Sequence, residues 1–215
     1  MNPLQRPLPY RYYQVTLYII LVNIVVFFGA VLFQPRLVSD LALIPGFVLQ
    51  GEWYRVFTYM YAHGSQSHLF FNMLGLFFFG FPVEQKIGSW EYLIMYHLTG
   101  VLAGLFSFIT YLLSGQLGVS LVGSSGAVYA ILLFFAAYFP NQRIYVMFVL
   151  PLRATTLVLL YTAIEVFNSL FMTNSGVAHL THLAGFFFAG LYLAIRLNRN
   201  ILAILMGRRE DDDYY

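Results

Sequence analysis

The stretch LVGSSGAVYA, residues 121–130, sets two serines between Gly123 and Gly126 in a chain that is otherwise strongly apolar. A serine hydroxyl is a weak nucleophile until a neighbouring base takes its proton, and histidine is the usual base. Candidate bases occur in AHLTHLAG, which holds His179 and His182. Acyl transfer also needs donors for a tetrahedral oxyanion, supplied by amides, imidazoles or backbone N–H groups. His68 and Asn72 are four residues apart, on one face of a helix. Ser125, His182 and the pair His68/Asn72 can therefore serve as nucleophile, base and oxyanion donors. Each has a plainer reading alone. Small residues such as Gly123, Ser124, Ser125 and Gly126 let helices approach closely, and a histidine near a helix end is often interfacial. His68 and Asn72 can bond another helix, and Tyr129, four residues after Ser125, suits a core.

Whether these residues can meet depends on the elements that carry them. The chain has 215 residues, 60% hydrophobic and 9% charged. Soluble domains carry about a quarter charged residues, so this is the composition of one membrane domain. A net charge of +2 with scattered basic residues argues against a nucleic-acid partner, and the lack of cysteine excludes disulfide and thiolate chemistry. Spanning a bilayer takes about 20 apolar residues. Six stretches qualify, near Gln14–Phe33, His68–Val83, Tyr92–Leu113, Ser124–Phe139, Ala154–Met172 and Val177–Leu197. The first is too long for a signal peptide and has no cleavage site. The second and fourth are short and begin with polar residues, as expected of helices whose ends are shielded by neighbours. The predicted fold class is all-α, a six-transmembrane-helix bundle. Residues 1–13 form an N-terminal cytoplasmic segment, 14–197 the membrane domain and 198–215 a cytoplasmic tail.

Orientation follows from the positive charges. With six spans, Arg6, Arg11, Lys86, Arg143, Arg153, Arg196, Arg199, Arg208 and Arg209 share one side, and Arg36 and Arg55 the other. This bias predicts an integral multi-pass protein with both termini cytoplasmic. The compact form suits a bacterial inner membrane. Loop 34–67 carries GEWYRVFTYMYAHGSQS and suits the outer interface. The run NQRIYVMFVLPLR is too short to span and is expected on the inner surface, and the tail GRREDDDYY is charged and expected to be mobile. No internal repeat supports an inverted-repeat transporter.

In this topology spans two, four and six all run inward, bringing His68, Asn72, Ser124, Ser125, His179 and His182 to the outer third of the membrane. Polar residues there are costly and point to function. Gly126 and Gly185 would let spans four and six approach closely enough for a Ser–His hydrogen bond. Glu165 is the one carboxylate deep in a span and falls toward its middle. The expectation is thus a Ser–His dyad without a third acid, with Tyr129 holding the imidazole by ring packing. A metal site built from His68, His179 and His182 lacks H-E-x-x-H and a neighbouring acid, so no metal or cofactor is expected. A proton path through Glu165 would need polar groups staggered across the membrane. An inactive scaffold binding transmembrane helices remains the alternative, against which the joint presence of Ser125 and His182 argues.

These residues carry a resemblance to the rhomboid intramembrane serine proteases. It rests on WYR at Trp53–Arg55, HLFFN at His68–Asn72, VEQKIGS at Val83–Ser89, GSSGAVYA at Gly123–Ala130 and AHLTHLAG at Ala178–Gly185, in that order from about Gly51 to Leu193. The resemblance implies Ser125 as nucleophile, in the S of G-x-S-G, with Ser124 at the variable position. It implies His182 as base and His179 as an accessory or packing residue. His68, Asn72 and the Ser125 N–H would form the oxyanion hole, Gly123 would shape it and Tyr129 would stack on His182. Trp53, Arg55 and Glu84 would be structural. One departure is Tyr54, standing between Trp53 and Arg55 where some members have Trp and Arg adjacent. The partners implied are transmembrane protein substrates within membrane lipid, with lateral entry beside span five.

Overall fold

The computed structural model describes residues 5–146, 149–171 and 176–206. The chain is predominantly helical. Helix α1 (Val15–Leu32) leads through three short helices, α2 (Leu37–Leu41), α3 (Pro45–Leu49) and α4 (Arg55–Thr58), to α5 (Gln66–Gly75). A π-helical turn at Leu76–Gly80 joins α5 to α6 (Phe81–Ile87). Pro82 lacks an N–H and would clash in a regular helix, and the wider turn before it accommodates this. Helices α7 (Ser89–Leu113) and α8 (Ser125–Tyr138) follow. Strands β1 (Arg143–Val146) and β2 (Leu150–Arg153) come next, then α9 (Ala154–Phe171), α10 (Gly176–Ile195) and α11 (Ile201–Leu205).

The six apolar stretches are helical over most of their described residues, but their lengths differ. Helices α1, α7 and α9 are long and apolar enough to cross a membrane, α8 is a shorter apolar helix, and α10 runs for 20 residues. The all-α expectation needs one correction. Strands β1 (Arg143–Val146) and β2 (Leu150–Arg153) pair antiparallel, with Arg143 opposite Arg153 and Tyr145 opposite Pro151. Ile144, Tyr145 and Val146 favour extended backbone, and Pro151 is tolerated in a strand that is itself an edge. The run is apolar in either conformation, so periodicity could not separate them. In the segment expected as a tail, α11 is capped by Asn200, whose Oδ1 accepts from Ala203 N at 3.2 Å, and Ile204 is buried. The GRREDDDYY segment, residues 207–215, lies outside the described residues.

Hydrogen bonds gather the connections into two groups. In one, Tyr10 bonds Gln85, Ser89 N donates to the Arg11 carbonyl, and Arg196 reaches the Arg6 carbonyl at 2.7 Å. Glu84, fully buried, accepts from Val15 N (2.7 Å), Thr16 N (2.9 Å), Thr16 Oγ1 (2.7 Å) and Ser89 Oγ (2.5 Å). It thereby satisfies N–H groups that open α1 and would otherwise lack partners. In the other group, segment 34–61 is clasped to the approach to α8. Leu43 and Leu121 exchange backbone bonds, Gly46 N donates to the Leu117 carbonyl, and Gly123 N donates to the Tyr59 carbonyl at 2.9 Å.

Arg55 organises that segment. Its Nη1 donates to the carbonyls of Ser39 (2.6 Å) and Ala42 (2.8 Å), and its Nε to Glu52 at 2.7 Å. The Arg55 and Tyr54 contacts hold the Glu52 carboxyl below its usual range. Trp53 is exposed, with one edge against Phe108. Arg55 and Glu84 are thus buried ties, whereas Trp53 is a surface ring.

Candidate active site

Ser125 is the first residue of α8. Gly123, two residues earlier, has φ of +107°, a left-handed conformation that side chains rarely adopt. A Cβ there would also lie 2.5 Å from the His68 ring. The glycine therefore serves twice, turning the chain into the helix and giving His68 room beside it. The first bond within α8 runs from Val128 N to the Ser124 carbonyl. The N–H groups of Ser125, Gly126 and Ala127 precede it and form the positive end of the helix dipole.

Helix α10 crosses α8 where both are glycine. A Cβ on Gly185 would overlap the Gly126 carbonyl oxygen. That close approach brings His182 Nε2 to 2.8 Å from Ser125 Oγ, a normal hydrogen-bond distance. The Tyr129 ring stacks on the imidazole at 4.4 Å with planes 9° apart, and Phe186 packs edge-on against Tyr129. Thr181, beside His182, bonds Ser107 of α7 at 2.6 Å. Ser124 is buried, and its Oγ meets no hydrogen-bond partner among the described residues. Asn72 is also buried, and its amide donates to the His68 carbonyl at 2.9 Å, within α5.

The sequence suggests no acid beside the histidine, and the structure places one there. Glu165 Oε1 lies 3.0 Å from His182 Nδ1, and Oε2 lies 2.5 Å from His179 Nδ1. The Tyr129 hydroxyl also donates to Oε1. The error was one of depth. Glu165 stands six residues before the end of α9 at Phe171, and His182 six residues after the start of α10 at Gly176. At about 1.5 Å per residue, both lie roughly 9 Å from the ends that a short connection joins. Counting from that shared end would have paired them.

His63 was also missed. It is 1% exposed, and its ring meets that of His68 at 5.0 Å. Burial, and secondarily the nearby His68, push it down to about 4. Its place five residues before His68 was the available signal. Glu165, His179 and His182 bring three donor atoms within 4.8 Å of one another, close enough to share a divalent cation. In the structure those atoms instead serve one another as hydrogen-bond partners.

The Rhomboid domain family description matches residues 50–199, and the chain belongs to this family. With its apolar helices, it is an integral membrane protein. It is 35% identical over 99 residues to rhomboid protease AarA of Providencia stuartii, covering 43% of this chain and 35% of that one. It is 33% identical over 114 residues to the chloroplastic rhomboid-like protein 11 of Arabidopsis thaliana, covering 53% and 38%. Against rhomboid protease GlpG of Salmonella newport it is 32% identical over 85 residues, covering 40% and 29%. The chain spans less than half the length of these curated relatives.

Proposed function

We propose that the protein is an intramembrane serine endopeptidase that cleaves transmembrane segments of other membrane proteins near the outer boundary of the bilayer. The observation that carries this reading is the 2.8 Å approach of Ser125 Oγ to His182 Nε2 at the start of a helix. Relatives named as proteases add to it. The six helical stretches cross the membrane, with the connection at 114–124 outside and the Lys86 connection and hairpin inside. Ser125 and His182 then lie in the outer third. A bacterial inner membrane with both termini cytoplasmic fits the charge bias.

In the reaction, Ser125 Oγ attacks the scissile carbonyl carbon while its proton passes to His182 Nε2. The negative charge that develops on the carbonyl oxygen faces the first N–H groups of α8, with His68 and Asn72 as side-chain donors. Collapse breaks the C–N bond, and His182 returns the proton to the leaving amine. Water then attacks the acyl-enzyme, again with His182 as base, releasing the carboxyl product and restoring the serine hydroxyl. A helical substrate carbonyl is already hydrogen-bonded, so the segment must unwind. Small or helix-breaking residues at its outer end are favoured for that reason.

A fluorophosphonate probe tests the assignment in purified, detergent-solubilised protein. The modified residue should map to Ser125, and Ser125→Ala should lose both labelling and cleavage. Ser124→Ala should retain most of both. Cleavage by Ser125→Ala at the wild-type rate would falsify the protease reading.

A further inference from the structure

The outer half of α9 is almost bare of packing. Its buried residues are Ala154, Thr155, Leu157 and Val158 in the first turns, and then Glu165 alone. Around Glu165, residues Ile164, Val166, Phe167, Leu170 and Phe171 are exposed apolar side chains. An apolar residue at 165 would satisfy that setting. A carboxylate 4% exposed there is costly unless it is fully bonded. It is bonded on both oxygens, and all three donors belong to the candidate site or touch it.

We propose that Glu165 is a positioning residue for His182, making the catalytic unit of this chain a Ser125–His182–Glu165 relay. The inference rests on the serine-protease reading above. The carboxylate accepts the Nδ1–H of His182 at 3.0 Å, which fixes the tautomer whose Nε2 lone pair faces Ser125 Oγ. Glu165 takes no proton during the reaction. When His182 receives the serine proton, the carboxylate stabilises the imidazolium, and the charge subsides when that proton moves to the leaving amine.

Tyr129 and His179 hold the carboxylate in turn, from α8 and from one turn earlier on α10. Tyr129 therefore acts on the imidazole twice, through its ring face and through Glu165. The three helices α8, α9 and α10 meet at this one group.

A merely structural Glu165 would tie α9 to the bundle, and its loss would lower stability while leaving the chemistry intact. Fluorophosphonate inactivation kinetics separate the two roles without a known substrate, because they resolve the limiting rate from probe affinity. With Glu165→Gln, the limiting rate should fall roughly 10²- to 10⁴-fold while the half-saturating probe concentration stays near wild type. Glu165→Asp should recover part of that rate. In protein carrying Ser125→Ala, isotope-labelled histidine should show a strongly downfield Nδ1–H proton, assigned to His182 by its persistence in His179→Gln, that vanishes on adding Glu165→Gln.

If Glu165→Gln instead reacts at the wild-type limiting rate and only melts earlier, the relay is overturned and the residue is a packing tie. Absence of the downfield proton in the folded Ser125→Ala protein overturns it without relying on any Glu165 variant. Either result leaves the protease reading intact, provided that labelling still maps to Ser125. Labelling elsewhere would remove the reading itself.

Discussion

Near the proposed catalytic pair, His63 is a buried imidazole that no proposed step uses. Burial keeps it neutral, with protonation delayed to about pH 4 against an ordinary value near 6.5. Between those values the unfolded chain takes up a proton at this position that the folded chain refuses. Stability therefore falls as pH drops through that window, because the unfolded state binds more protons. Replacing His63 with Phe should flatten this part of the curve. Melting temperatures measured between pH 7 and pH 4.5 should decline less steeply in His63→Phe than in wild type. A parallel decline would show that other groups set the acid sensitivity. Such contacts explain the uneven legibility of single residues. Ser125 and His182 stand in compact runs of chemistry-bearing residue types, so their pairing could be read directly. Glu165 stands alone among apolar neighbours, and its partners come from two other helices. No local spacing marks it.

Among the helices, the α8–α10 crossing decides whether the site exists. Glycine at 126 and 185 lets the backbones touch, and a methyl at 185 would meet the Gly126 carbonyl. Overpacking of this kind costs about 1–3 kcal/mol, which a stable bundle can survive. Geometry is less forgiving, since a displacement of about 1 Å can cost 10²-fold in rate. Gly185→Ala should therefore insert and melt as a folded protein yet lose about a hundredfold in fluorophosphonate reactivity. Reactivity near wild type would mean that the helices relax without separating Ser125 from His182. The glycines and helical periodicity made this crossing legible in the sequence. The hairpin was not, because Ile144, Tyr145 and Val146 suit an interfacial helix and a strand alike. The loop before α5 was legible as aromatic and amphipathic, but the carbonyls gathered by Arg55 belong to residues 39 and 42, which no motif marks.

For the molecule as a whole, two independent observations support the proposed six-span arrangement in the membrane. Lys and Arg fall nine to two across the connections under a six-span topology. Hydrogen bonding, which owes nothing to that count, ties residues 6–11 to 85–89 and to Arg196, and separately ties 43–46 to 117–121. Arg199, lying over the Tyr138 ring, links the first group to the end of α8 just before the hairpin. An odd number of crossings would force these hydrogen-bonded groups onto opposite faces. The absence of cysteine makes a direct test simple, since any introduced thiol is the sole one. Arg36, Gln116, Tyr145 and Met206 are all exposed. In intact cells a membrane-impermeant maleimide should label Arg36→Cys and Gln116→Cys. Tyr145→Cys and Met206→Cys should react only after the membrane is opened. Labelling of Met206→Cys alongside Arg36→Cys in sealed cells would place the two groups on one side. Ser125 would then no longer be assigned to the outer leaflet by its position at the start of α8, even if its bond to His182 survived.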